Sequence, residues 1–496
     1  MIEINRELKI SLYEQIYESI KRDILSGRLC TGEKLMSKRR LSEQLGVSLI
    51  TVENAYAQLI AEGYVRSAEK SGYFVQYNGE IIPLSRLEGN ICHESATRFG
   101  GDSRLGGDIR LGGDIRLGGD FRLGGDFRLG GDSRLGEKGD EKKEIAAQNP
   151  TESAECFPFT VWARLMRSVL LEKGTALLQP VPNGGAEELC AAVSEYLYRV
   201  RGFYVPGKRI IIGSGTEYLY NLLIQLLGRE HSYGTENPGY RKPAMIYRLN
   251  GVRCELISMD SCGMDVNALE KSGVSVAHIS PAHHFPTGTV MPISRRREIM
   301  AWAKNGQEER FIIEDDYDSE FRWSGRPLPA MFGMEDGGRV IYVNTFSQTI
   351  APSVRISYMC LPEGLYKRWQ ERMGFYSCSV PAFEQYTLAR FISEGYFERH
   401  INRSKKRYRR IRELVLKLME SFGDSVTVNE ENAGLHFTIS TKNPEVTPKC
   451  ALCGISVRPL RDYYGKDTAP ADDENVCVVN YSNASEKQLM SIVNLQ

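Results

Sequence analysis

The chain of 496 residues lacks any excess of charge, with Lys and Arg totalling 63 and Asp and Glu also 63. Bulk attraction to nucleic acid or to a membrane surface is therefore excluded, and any DNA affinity has to come from a local patch. Apolar runs of the roughly 18 residues needed to span a bilayer are missing, and the opening stretch Met1–Gln15 is too charged for a signal peptide. A cytoplasmic protein without membrane contact is expected. Paired cysteines are lacking too. The 11 cysteines are an odd number scattered from Cys30 to Cys477, as in a reduced cytosolic protein rather than a disulfide framework. Cys450 and Cys453 have no second pair at zinc-ribbon or zinc-finger spacing, so ordinary packing is the favoured reading and no metal is expected.

What is present is an ordinary globular composition, 42% hydrophobic and 25% charged, which excludes wholesale disorder and fibrous repeats. At about one domain per 150 residues, two or three folded regions are expected. From Ser11 to about Val75 apolar residues recur at helical spacing in three short runs, led by Leu12, Ile16, Ile20 and Ile24. A second helix is predicted over Lys38 to Leu45. After Gly46 a third opens at Ser48, a good N-cap, and turns Val52, Ala55, Leu59 and Ile60 inward. Helix, tight glycine turn, helix is the helix-turn-helix pattern. Strands around Gly63–Val65 and Gly72–Val75 add a wing.

Residues 100–135 are six copies of Gly-Gly-Asp-x-Arg-Leu. Rich in glycine, neutral overall and with Leu as the sole fixed apolar residue, they are predicted to be a flexible, disordered linker over 79–148. Its reach as a coil is on the order of 45 Å. Beyond Asn149 the pattern alternates β-branched runs (210–212, 274–279, 311–313, 340–343) with helical stretches (216–227, 295–304), as buried parallel strands and crossover helices would.

In the N-terminal region Lys34, Lys38, Arg39 and Arg40 cluster where a helix would cross a phosphate backbone, and Ser48, Leu49, Thr51 and Asn54 form the leading edge of a recognition helix. Leu49 and Ile50 cannot hydrogen-bond a base, though either can touch a thymine methyl. The run Leu12-Tyr-Glu-Gln-Ile, Ser37-Lys-Arg-Arg-Leu41-Ser-Glu-Gln-Leu-Gly-Val47-Ser, Thr51-Val52, Ala55-Tyr56 and the wing Lys70-Ser-Gly-Tyr-Phe-Val75 resembles the DNA-binding domain of the GntR family, with Met36 where the family usually has proline. The resemblance implies phosphate and groove contacts from Lys38, Arg39, Arg40, Ser48, Leu49, Thr51 and Gly72, over a domain spanning 8–78.

Five further blocks resemble, in order, the fold-type-I aminotransferase-like half of the MocR-type subgroup. They are Ile212-Gly-Ser-Gly-Thr216-Glu, Glu236-Asn-Pro-Gly-Tyr240, Ser280-Pro-Ala-His-His-Phe-Pro-Thr-Gly288, Glu314-Asp-Asp-Tyr317-Asp-Ser-Glu-Phe-Arg322 and Asn344-Thr-Phe-Ser-Gln348-Thr-Ile-Ala-Pro-Ser-Val-Arg355. The implied fold is multi-domain: a small α+β winged helix-turn-helix, the linker, and a large α/β domain over 149–496 that senses an effector and dimerises. The implied cofactor is pyridoxal 5'-phosphate. Asp315, at a strand end, would pair with the ring nitrogen, Tyr317 with the ring hydroxyl, and Tyr240 would stack on the ring. Ser214, Gly215 and Thr216 open a helix and, with Arg355, would hold the phosphate. His284, Thr345, Ser347 and Gln348 complete the pocket carried over from the family.

Position 348 departs from the family, which places the Schiff-base lysine there. An amide nitrogen cannot condense with an aldehyde, because its lone pair is delocalised into the carbonyl, and the proton-shuttling amine is lost as well. The expectation is a non-enzymatic regulator with no catalytic residues. It would bind operator DNA as a homodimer, hold the cofactor non-covalently and respond to a small-molecule effector. The alternatives are a true aminotransferase, which Gln348 opposes, and a constitutive regulator that uses the domain only to dimerise. The basic run Arg403–Arg412 is read as a solvated helix face in preference to a second DNA contact.

Overall fold

The computed structural model describes residues 11–62, 64–68, 72–76, 157–306, 308–323, 329–334, 338–429, 434–466 and 468–493. By its contacts the chain divides into one unit of residues 1–81 with 149–496 and a second of residues 82–148. The expected linker and its repeats lie outside the described residues.

Helices α1 (Leu12–Leu25), α2 (Lys38–Leu45) and α3 (Leu49–Ala61) open the chain. Ile16, Ile20 and Ile24 from α1, Leu41 from α2 and Val52, Ala55 and Leu59 from α3 are at most 3% exposed, so the helical spacing in the sequence is the spacing of the core. Serine oxygens cap two helices: Ser37 accepts the Arg40 N–H at 3.3 Å and Ser48 the Thr51 N–H at 3.2 Å. Gly46 takes φ 61° between α2 and α3, a left-handed turn that a side chain would strain. Strand β1 (Val65–Ala68) runs antiparallel to β2 (Gly72–Val75). The first strand starts later than expected because the Tyr64 N–H donates back to Leu59 O and closes the helix end. A third extended segment joins the wing, since the Leu35 N–H donates to Tyr73 O at 2.8 Å and the Val75 N–H to Glu33 O at 2.9 Å. The α1–α2 connection is thereby laid beside the wing.

The large domain is built on strands β3 (Ile210–Gly213), β4 (Tyr233–Asn237), β5 (Cys254–Asp260), β6 (Gly263–Met264), β7 (Val276–Ile279), β8 (Phe311–Asp315), β9 (Val340–Thr345) and β10 (Ser357–Cys360). They form one sheet in the order β3-β10-β9-β8-β7-β4-β5-β6. The central strands pair in parallel, β5 with β4, β4 with β7, β7 with β8 and β8 with β9. The expected parallel sheet needs a correction: β10 is antiparallel to both β3 and β9. The connection from Thr345 to Ser357 carries no helix, and without a crossover the chain can only turn back on itself. Strands β3, β7, β8 and β9 are buried throughout, which accounts for their apolar runs; His278 interrupts β7, and β8 and β9 end on Glu314-Asp315 and Asn344-Thr345.

Strands β11 (Val426–Val428), β12 (His436–Thr441), β13 (Ser456–Pro459) and β14 (Val476–Asn480) make a second, antiparallel sheet in the order β11-β12-β14-β13. Ile411, Val415 and Leu418 of the helix Tyr396–Glu420 pack with Phe437, Ile439 and Val479 of this sheet. The opposite face of that helix carries the basic run, with Arg403, Arg409 and Arg410 exposed, in line with a solvated face. Cys450 and Cys453 are fully buried in the same core, and burial pushes the Cys450 thiol up to about 12, so they pack as apolar groups. Among the described residues no helix is long and apolar enough to cross a membrane. The N-terminal helices touch the large domain where the Ile293 N–H donates to Glu62 O at 3.1 Å.

Candidate cofactor pocket and nucleic-acid interface

The three consecutive acids at the end of β8 take three different jobs because strand side chains alternate sides. Glu314, fully buried, accepts the backbone N–H groups of Met331 and Phe332 at 2.8 and 2.9 Å. Asp316 lies 2.7 Å from Arg201, with both side chains at most 2% exposed, and accepts the Tyr342 hydroxyl at 2.5 Å. Asp315 is clamped on one oxygen only. Its Oδ2 accepts the Tyr220 hydroxyl at 2.6 Å and faces His278 Nε2 at 3.4 Å, while the Tyr247 hydroxyl meets His278 Nδ1 at 2.7 Å. Its Oδ1 is buried without a partner. A buried carboxylate oxygen held in place and left unpaired fits a ligand N–H, as a protonated pyridine ring provides.

A candidate anion site lies where β3 gives way to the helix Thr216–Leu227, whose first N–H groups have no side-chain cap. Gly215 stands at φ 100°, and a β-carbon there would collide with the Arg355 guanidinium. Glycine is therefore what lets Arg355 lie against the helix N-terminus, where the exposed amides favour an anion. Arg355 also stands 3.9 Å from Glu217, which holds Lys242 at 2.7 Å. That ion pair raises the Lys242 pKa against the lowering effect of burial, keeping the amine protonated and a poor nucleophile.

Tyr240 is 51% exposed with its ring edge-on to Phe285 at 6.2 Å, leaving a face free to stack. The Ser347 hydroxyl donates to Val354 O at 2.9 Å and its N–H to Thr345 Oγ1 at 3.2 Å, which closes the turn that displays Gln348 and then Arg355 on the surface. As it stands Ser347 shapes the turn, its single proton being already committed. Thr345 in turn accepts from Ser357 at 2.8 Å. His284 is buried, bonded to Thr287 Oγ1 at 2.8 Å and 3.5 Å from Glu236, and burial holds its pKa down to about 3. Tyr317 directs its hydroxyl to His283 at 3.4 Å, so it lies deeper than a simple ring-hydroxyl partner.

His283, Asp318 and His436 form the one grouping with metal-ligand chemistry among the described residues, their ligand atoms within 4.8 Å of one another. His283 Nδ1 is already turned to Asp318 at 2.9 Å, its ring packs on His436 with centroids 4.3 Å apart, and a β-carbon at Gly434 would overlap the ring. The group is thus packed as a hydrogen-bonded wedge between the two sheets.

On the N-terminal helices Arg39 and Arg40 are exposed, as are Ser48, Leu49 and Ile50, the last at 67%. Lys38 is less free than expected: its ammonium pairs with Glu53 at 3.0 Å and lies 5.6 Å over the Tyr73 ring. The Thr51 hydroxyl meets Ser48 Oγ at 2.7 Å, tying it to the cap of α3. Gly72 stands at φ 111° against the Lys34 side chain, whose ammonium lies 5.8 Å over the Phe74 ring of the wing.

A model of the bacterial regulatory proteins of the gntR family matches residues 12–75. The HTH-type transcriptional regulator YdeL of Bacillus subtilis is 34% identical over 462 residues, covering 92% of this chain and 90% of that protein. The probable rhizopine catabolism regulatory protein MocR of Rhizobium meliloti is 28% identical over 469 residues, covering 93% and 88%. The chain belongs to the MocR-type subgroup of the GntR family. It is a DNA-binding transcription regulator with an aminotransferase-like domain. That domain matches the crystal structure of an archaeal alanine:glyoxylate aminotransferase with a TM-score of 0.59 at 22% identity, covering 69% of this chain and 87% of that one, a likeness of fold.

Sequence reasoning on this MocR-type regulator missed Tyr220 and His278, which hold Asp315, and Arg201, which neutralises Asp316. Tyr220 had a local signal, standing one helical turn after Thr216 on the same helix. Arg201 had none, because its contact with Asp316 spans more than a hundred residues of chain.

Proposed function

We propose that this regulator holds a pyridoxal vitamer phosphate non-covalently in its large domain and uses its occupancy as a signal to the DNA-binding helices, without catalysis. The observation that carries the reading is the Asp315 carboxylate, buried, clamped by Tyr220 and His278, and left with one oxygen unpaired. Gly215, Thr216, Ser214 and Arg355 would take the phosphate and Tyr240 the ring face. When bound in an aminotransferase, such a cofactor supplies an electron-withdrawing ring that stabilises carbanions. Here the amide at 348 neither links to it nor moves a proton, so only binding and orientation remain for this chain's residues.

A signal requires that the ligand bind one arrangement of the protein better than another. The loop from Asp315 to Phe321 and the helix that begins at Ile293 support such a link. Arg296 in that helix bonds Pro281 O at 2.7 Å and Met291 O at 2.9 Å beside the pocket, and Ile293 meets Glu62, the C-cap of α3. Exposed apolar residues on the large domain, among them Leu171, Leu178 and Phe375, support dimerisation through that domain. A homodimer on operator DNA in the cytoplasm completes the reading. Domain limits of 8–78 and 149–496 go with it.

Equilibrium dialysis of the full-length protein against pyridoxal 5'-phosphate tests the cofactor, with a mobility-shift titration on operator DNA run with and without it. Saturable retention that dialysis reverses, and a changed DNA affinity, are expected. No retention at any concentration would leave the domain as a dimerisation device alone.

A further inference from the structure

The replacement of an amine by an amide at 348 has a consequence for which ligand the pocket prefers. Gln348 stands exposed at the tip of the closed turn, and its side chain makes no hydrogen bond to a described residue. Its carbonyl oxygen is an acceptor, where a lysine would present a cation and three donors.

The turn that carries Gln348 follows β9, whose Val343 is the strand neighbour of Asp315, so both lie at one edge of the sheet. Asp315 Oδ1 and Glu236 Oε1 are both buried without partners. Glu236 has its other oxygen on the Ser280 N–H at 2.9 Å, and burial pushes its pKa up to about 8. The nearby His284 is held neutral by burial. The two cations at the mouth are engaged at the phosphate end, Lys242 with Glu217 and Arg355 against Gly215.

We infer that the pocket selects the amine form of the vitamer, pyridoxamine 5'-phosphate, over the aldehyde, and that Gln348 sets this choice. An aldehyde that cannot be captured covalently offers the pocket only an acceptor oxygen, to be set against the acceptor oxygen of Gln348. The ammonium of the amine donates to that oxygen in a charge-assisted hydrogen bond that the aldehyde cannot make. The Gln348 amide can also donate, but a neutral pair of this kind contributes less than a charge-assisted one. With lysine at 348 the order reverses, because two ammonium groups would repel while the aldehyde gains a covalent link.

This inference rests on the pocket proposed above, and the experiment separates the two. Full-length protein freed of cofactor is titrated by calorimetry with pyridoxamine 5'-phosphate, pyridoxal 5'-phosphate and pyridoxine 5'-phosphate, the last a neutral alcohol. The amine form is expected to bind about tenfold or more tightly than either of the others, the ratio of a charge-assisted to a neutral hydrogen bond. Gln348→Lys should invert the order and turn the protein yellow with the aldehyde. Gln348→Leu, at an exposed position, should erase the amine's advantage, costing the amine about tenfold more affinity than it costs the alcohol, whose bond to the amide is neutral. Equal binding of amine and alcohol by the unmodified protein, or tighter binding of the aldehyde, overturns the inference alone. Failure of all three to bind overturns the pocket as well.

Discussion

Replacing Asp315 with Asn tests the pocket through two effects of opposite sign. The carboxylate has one oxygen committed to Tyr220 and His278 and one buried without a partner. An unsatisfied buried acceptor costs about 1–3 kcal/mol, and more when charged. The amide keeps an oxygen for the Tyr220 hydroxyl and removes the unpaired charge, so the ligand-free variant should be as stable as the parent or melt about 2 °C higher, using the scale for large domains. The bound state loses instead. A hydrogen bond between a pyridinium N–H and a carboxylate contributes about 1.5–3 kcal/mol, and its loss weakens binding about 10- to 150-fold. Differential scanning fluorimetry of the ligand-free protein and calorimetric titration with vitamer phosphates measure the two halves. Unchanged affinity would refute the assignment of Asp315 to the ring nitrogen. A fall in affinity and melting temperature together would point to collapse of the Tyr220–His278 clamp and refute the reasoning from charge.

Arg39→Ala should weaken operator binding by about 1–3 kcal/mol in a mobility-shift titration, and Lys38→Ala by less, since Lys38 already pairs with Glu53. Arg201→Met should destabilise the large domain by about 3–5 kcal/mol, read from the midpoint of urea unfolding, because it leaves Asp316 buried without its cation. Burial pushes the Glu236 pKa up to about 8 in the folded state, from 4.5. Between those values the folded state holds the extra proton, so this group's contribution falls as pH rises through that window. Glu236→Gln should flatten the decline in melting temperature from pH 5 to 8, on the order of the window between the two values; a decline as steep as the parent's would assign it to other acids.

Legibility tracked sequence distance. The three helices and wing were readable because their signals are local: a 3.6-residue apolar period, serine caps before α2 and α3, and Gly46 in the turn between them. The extended segment along the wing was not, since Glu33–Leu35 reads as an ordinary connection until β2 is beside it. In the large domain Asp315, Gly215 and Arg355 stood out as members of ordered blocks. The same blocks gave no hint that Ser347 spends its proton on Val354 or that Tyr317 faces His283.

By itself the sequence determined the N-terminal helices and wing, the family, and the places of Asp315 at a strand end and Thr216 at a helix start. Those are properties of a residue and its near neighbours. The tertiary structure decided which of three adjacent acids meets backbone amides, which a hydroxyl and an imidazole, and which a guanidinium. Glu314, Asp315 and Asp316 are chemically alike in a string, and only the backbone at Met331, the clamp from Tyr220 and His278 and the guanidinium of Arg201 tell them apart. It also decided the direction of β10, set by the absence of a crossover helix, and the neutral state of His284, set by burial. Charge state and pairing depend on what surrounds a group in space, and those surroundings come from segments that only folding brings together.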